Sequence, residues 1–150
     1  MRWIGQGCKI PKNCNIYYSC HAKTRVVNLN LRHIVSVFTP VNERLDKIRI
    51  KAKFHNISLI CAHAPTEEKD DKVKEPTEGT FYANLEDLYH KCPDLDIKIV
   101  LGDFNAKIGQ EGIFGATVGQ FRLHSTTSSN GVRLIDFAEA RNLVVCSSRF

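Results

Sequence analysis

An aspartate and a carboxamide two residues apart close an apolar run: Ile97, Val100 and Leu101 lead into Gly102-Asp103-Phe104-Asn105. In an extended chain, residues i and i+2 share a face, so Asp103 and Asn105 can converge on one small target while Phe104 turns into packing. The chemistry open to such a pair is hydrolysis of a phosphate ester. The carboxylate can orient or deprotonate an attacking water, and the amide N–H can hydrogen-bond a phosphoryl oxygen or the carboxylate itself. A hard cation such as Mg²⁺ favours carboxylate and water oxygens, which makes Asp103 its candidate ligand. The bland alternative is that Asp103 and Asn105 only turn the chain after a strand, a role that Asp, Asn and Gly all favour. A second apolar run stops at His63-Ala64-Pro65-Thr66. His63 is the candidate polar group there, or a strand terminus and nothing more.

Strands and helices must hold these groups in place. Ile48, Ile50, Ala52 and Phe54 alternate with Arg49, Lys51 and Lys53, which predicts a half-buried strand. His55-Asn56 then predicts a two-residue turn into a second strand, "ISLICAHAP", that Pro65 ends. The charge-dense segment 67–79, with Pro76 and Gly79, predicts an exposed loop. From Thr80, the positions of Phe81, Leu85, Leu88 and Tyr89 predict an amphipathic helix stopped by Pro93. "DIKIVLGDF" predicts a buried strand. The Gly-, Ser- and Thr-rich stretch from Gly109 to Asn130 predicts a long loop, of a length that is often functional. "GVRLIDFAEARN" predicts a second helix with Leu134, Ile135, Phe137 and Ala138 inward and Asp136 in solvent. "LVVCSS" predicts the start of a final strand. Nearer the N-terminus, "NIYYSCHAKT" and "VVNLNLRHIVSVF" are rich in β-branched and aromatic residues and predict strands. The mixture implies a layered α/β fold with no linker or domain boundary.

Composition narrows the class. At 150 residues, 43% hydrophobic and 25% charged, the chain fits one domain with a real core. Lys and Arg exceed Asp and Glu by 21 to 16, a formal charge of +5 that suits a polyanionic partner without requiring one. No apolar run approaches the roughly 18 residues of a membrane span. The opening "MRWIGQGCKIPKN" lacks the apolar stretch of a secretory signal, so an intracellular protein is expected, nuclear if it acts on DNA. Six cysteines without any Cys-x-x-Cys pair are expected to be reduced thiols. Cys61 and Cys146 lie in apolar runs and read as core residues, while Cys14, Cys20 and His21 form a weak zinc candidate.

"IKIVLGDFNAKIG" resembles the GDFNA strand-end motif of the endonuclease/exonuclease/phosphatase superfamily. "MRWIGQG", "NIYYSCH", "FTPVNERL", "CAHAPTEEKD", "KIVLGDFNAKIG" and "SNGVRLIDFAEARNLVV" also occur in order. Together these six blocks resemble the endonuclease domain of RTE/BovB-type non-LTR retrotransposons. Sequences of that group are also called craniofacial development protein 2-like or endonuclease-reverse transcriptase. The resemblance runs along nearly the whole chain.

That resemblance implies a four-layered α/β sandwich with two facing sheets, here a partial one. It implies a Mg²⁺-dependent phosphodiesterase that nicks DNA, fused in the parent element to a reverse transcriptase. Asp103 would orient or activate the water and hold the metal, and Asn105 would support that aspartate and the phosphate. His63 stands where many relatives carry a phosphate-contacting tyrosine. Thr66 stands where other branches place an asparagine. Some family features have no counterpart in this sequence. The family's metal-binding glutamate immediately precedes the Arg-Trp block, where Met1 stands here. Its Asp-His pair lies beyond the position of Phe150, and a Gly-rich core strand is shortened about Lys23 to Val27. The expectation is therefore a single partial domain over residues 1–150, truncated at both ends, with impaired or no hydrolysis on its own. The alternative is a non-catalytic fragment that acts, if at all, as a binding module. A phosphatase of the same superfamily acting on a small molecule is disfavoured by the ordered blocks.

Overall fold

The fold was obtained as a computed structural model, which describes residues 7–9, 14–18, 25–28, 34–66, 71–110, 114 and 116–149, with the backbone alone for 7–28 and 71–77. The chain divides into two compact units. One joins Met1–His63 to Asp87–Gly102, and the other joins Ala64–Glu86 to Asp103–Phe150.

In the first unit, β-rich sequence gives two sheets. Strands β1 (Gly7–Lys9), β2 (Cys14–Tyr18) and β3 (Arg25–Asn28) pair antiparallel in that order. The second sheet has the order β4 (Val35–Pro40), β5 (Leu45–Ile50), β6 (Ile57–His63) and β7 (Ile97–Asp103). Strands β4, β5 and β6 are antiparallel, with a register shift between Val35 and Val37. Strand β7 runs parallel to β6: the Ile97 N–H donates to the Asn56 carbonyl at 2.8 Å, and five residues later Gly102 lies against the Ala62 backbone. A parallel neighbour requires a crossover, and helix α1 (Asp71–His90) supplies it. The α/β class read from the sequence is the class observed: a mixed four-stranded sheet with helices, compatible with a partial α/β sandwich.

Among the described residues, Leu45, Ile48, Ile60, Ala62, Leu88 and Cys92 are the buried apolar side chains of this unit. The hairpin differs from its expected form. Strand β5 starts earlier, at Leu45, and stops at Ile50, so residues 51–56 form the connection in place of a two-residue turn. Asn56 Oδ1 accepts from the Ala52 N–H at 3.3 Å and closes that connection, leaving Ala52 and Phe54 outside the strand and exposed. Strand β7 is not buried on both faces. Ile97 and Leu101 are about half exposed, whereas the Lys98 stem is covered and its ammonium sits 4.9 Å from the Tyr89 ring centre. A lysine can do this because its methylenes pack while the charge stays at the rim of an aromatic face.

The second unit holds α1 as far as Glu86 and helix α2 (Ser129–Glu139). Phe81 and Leu85 from α1, and Ile135, Phe137 and Ala138 from α2, are buried as their helical spacing predicts; Tyr82 is buried as well, while Tyr89 and Leu134 are only half-buried. Helix α1 begins nine residues before Thr80 and includes Pro76 and Gly79, correcting the expected loop. Charge density there marked helix-forming Lys and Glu residues rather than a turn. Helix α2 is capped at Ser128, whose Oγ accepts from the Gly131 N–H. It ends at left-handed Asn142 (φ 51°), with the Leu143 N–H returning to the Ala138 carbonyl at 2.9 Å. The expected final strand is only a bridge from Val145 to Val118, after which Cys146–Ser148 turns as a 3-10 helix. Cys146 is consequently exposed, not a core residue.

Candidate active site

Asp103 and Asn105 do not share a face of an extended strand. Asn105 adopts φ 46°, the left-handed conformation that asparagine tolerates better than most residues. Its N–H donates to Asp103 Oδ1 at 3.0 Å, closing a turn in which the aspartate side chain bonds the backbone two residues on. The two residues therefore form a turn, which brings them together. Asp103 stays exposed, and among the described residues its Oδ2 has no partner. Asn105 is more tightly held: its Nδ2 donates to the Ala64 carbonyl at 2.7 Å.

Three segments of the second unit meet at this turn. The Ala64 N–H donates to the Asp103 carbonyl at 2.8 Å. Residues 127–131, at the start of α2, stitch onto residues 105–109. The Ser128 N–H donates to the Lys107 carbonyl (3.0 Å) while the Lys107 N–H donates to Ser128 Oγ (3.2 Å). The Gly109 N–H donates to Thr127 Oγ1 at 2.9 Å. A Cβ on Gly131 would lie 2.1 Å from the Lys107 carbonyl oxygen, so only glycine permits this backbone approach. Asn130, 0% exposed, donates from Nδ2 to the Pro65 carbonyl at 2.9 Å, with a longer 3.4 Å approach to the Asn105 carbonyl. Asn130 falls at the end of the stretch expected to be a loop, yet Ser128-Ser129-Asn130-Gly131 ahead of an apolar helical pattern is an N-cap signature that points to it.

His63 belongs to the first unit. Its N–H donates to the Arg44 carbonyl at 2.9 Å, and its own carbonyl accepts from Arg44 Nη1 at 3.5 Å. Its Nδ1 is buried with no hydrogen-bond partner among the described residues. Thr66 is exposed. The weak zinc candidate at Cys14, Cys20 and His21 falls outside the described side chains. Among the described residues, no group of three or more His, Cys, Asp or Glu side chains is placed to hold a metal ion, and no helix is long and apolar enough to cross a membrane. Mg²⁺ takes one or two protein carboxylates and keeps waters or phosphate oxygens elsewhere. An exposed Asp103 with an available Oδ2 fits as one such ligand.

A tightly bonded acid, Asp96, lies at the other end of β7. Asp96 Oδ1 and Oδ2 accept from Arg49 Nη2 (2.9 Å) and Nε (2.8 Å), and Oδ2 also accepts from Ser58 Oγ at 2.7 Å. The Arg49 hydrogen bonds, reinforced by Ser58 and opposed by desolvation, hold its carboxyl down at about 2. Both oxygens of this buried acid are engaged inside the protein, so it has little to offer a ligand.

No family model matches the chain. It is homologous to craniofacial development protein 2: the Bos taurus and Tragulus javanicus proteins are each 30% identical to it over its whole length. The match covers 25% and 26% of those two proteins, so the chain spans about a quarter of their length.

Proposed function

We propose, from that homology and the turn at Asp103, that the chain is a nuclease-like module of the endonuclease/exonuclease/phosphatase type whose target is DNA phosphate. The finer reading is the Mg²⁺-dependent endonuclease of RTE/BovB-type retrotransposons, acting in the nucleus, and the ordered sequence blocks support it. One observation carries the proposal: an exposed carboxylate stands on a turn whose backbone is fixed on both sides by hydrogen bonds. Preorganisation of that kind is what orienting a water requires, because an acid that wanders loses the geometry in which it can take a proton. Asp103 Oδ1 is spent on the Asn105 N–H, leaving Oδ2 for water or cation. A bound Mg²⁺ would supply neutralisation of the phosphate charge. Asn105 acts as the pivot of the turn, since its Nδ2 is engaged by the Ala64 carbonyl. His63 is assigned a phosphate contact from its sequence position alone.

That engagement of Asn105 favours a second reading. With its N–H committed to Asp103 and one Nδ2 hydrogen to the Ala64 carbonyl, Asn105 has a single amide hydrogen left to offer a phosphate, so its help to a developing charge is reduced. The same surface would then hold DNA without cutting it, as a binding module. Both readings are tested with supercoiled plasmid and a labelled duplex, with and without Mg²⁺, for the parent and Asp103→Ala. Mg²⁺-dependent nicking lost in Asp103→Ala supports the enzyme. Retention of the duplex without nicking supports the binding module, and neither activity in a chain that melts cooperatively sinks both.

A further inference from the structure

The segment Thr127-Ser128-Ser129-Asn130-Gly131 does more than start a helix. Among the described residues, its Asn130 amide is the buried side chain that reaches both backbone segments flanking the proposed site, Pro65 and Asn105. A carboxamide nitrogen carries two hydrogens, so a single Nδ2 can serve both carbonyls at once. The Asn105 peptide is the one that needs holding. Its residue is left-handed, a conformation that is costly for a side chain with a Cβ and persists where surrounding bonds enforce it. The Asn105 N–H is held by Asp103 and its side chain by Ala64, which leaves its carbonyl as the third fixing point.

We infer that Asn130 is a positioning residue: by binding the carbonyls of Pro65 and Asn105 together, it fixes the left-handed turn that presents the Asp103 carboxylate. Three further features of the segment serve the same end. Ser128 exchanges two hydrogen bonds with Lys107, Thr127 takes the Gly109 N–H, and Gly131 admits the Lys107 carbonyl where no other residue could. The anchor itself is fixed from below, because the Tyr82 hydroxyl donates to the Asn130 carbonyl at 3.1 Å and Ser129 Oγ to Glu78 at 3.1 Å. The clamp is a property of this loop, and its bearing on hydrolysis rests on the nuclease reading above.

Amide hydrogen exchange on the whole chain separates the two statements. Asn130→Asp keeps the shape but replaces the two-hydrogen donor with an oxygen, and Asn130→Ser shortens it. In each variant the Asn105 amide is expected to exchange about tenfold faster relative to Leu85 and Ile135 than in the parent. Phe137→Leu weakens the core of the same unit without touching Asn130 or its partners, and there the ratio is expected to hold within about twofold. Acceleration at Asn105 that merely tracks the helix cores, or that is equal in Phe137→Leu, overturns the clamp. Where the parent nicks DNA, Asn130→Asp is expected to lower kcat about tenfold with little change in KM. If the parent does not nick, the exchange ratio alone decides the clamp, so the nuclease reading can fail without it.

Discussion

Strand β7 carries an aspartate near each end, and the two have opposite fates. Asp96, just before its start, is buried, bonded twice by Arg49 and once by Ser58. Asp103, its last residue, is exposed and accepts a single backbone bond, leaving one oxygen to the solvent. The number and kind of partners, rather than residue type or strand position, divides a structural acid from one available for chemistry. A carboxylate that is fully satisfied by its own protein stabilises the fold, and one that is held firmly but incompletely can act on something else.

The sharpest way to break this comparison is to disturb how the exposed end is seated. Gly102 has φ 152°, and a Cβ there would lie 1.7 Å from the Ala62 carbonyl oxygen. Gly102→Ala is expected to destabilise the chain by about 3 kcal/mol or more, read by urea melting, because β7 must leave β6 to relieve the clash. A loss under about 1 kcal/mol would show that the close approach is not needed. Next in size, where the parent nicks DNA, Asp103→Asn is expected to reduce that Mg²⁺-dependent nicking about 100-fold, and in either case to leave the melting temperature within about 2 °C. Asp96→Asn should do the reverse, lowering the melting temperature by several degrees and leaving DNA retention intact.

Acid titration sharpens the same contrast. A carboxyl held at about 2 in the folded chain, against 3.8 for the free side chain, contributes stability that is fully present above the unfolded value. That contribution is lost as the pH falls from about 4 towards 2. Melting curves over this window should be less steeply pH-dependent in Asp96→Asn than in the parent, and equal slopes would remove Asp96 from its assigned role. The smallest effect is expected on the open face of β7. Ile97 is 52% exposed, so Ile97→Thr should change stability by no more than about 0.5 kcal/mol.

The strand-and-helix order from β5 onward was legible because apolar spacing reports burial directly. Leu85, Ile135 and Phe137 fell where a helical period puts them. Errors came where another force outweighed the pattern. Lys98 inverted the expected burial of β7 by setting its ammonium over the Tyr89 ring, and Asn56 closed a connection longer than the turn dipeptide suggested. Pro76 and Gly79 signalled a break that did not occur within α1. At the candidate site, the identity of Asp103 and Asn105 was readable, but their geometry was not. A left-handed Asn105 depends on bonds from residues 25 to 41 positions away along the chain, and no local spacing encodes them.

The reliance of one turn on distant partners also bears on the order in which the chain becomes competent. A loop whose shape is dictated by Ala64, Pro65 and Asn130 cannot take that shape when residues 103–105 leave the ribosome, since α2 has yet to be made. Until Asn130 arrives, Asp103 is tethered to a turn with one of its fixing points vacant. Synthesis therefore assembles the acid early and sets its aim late.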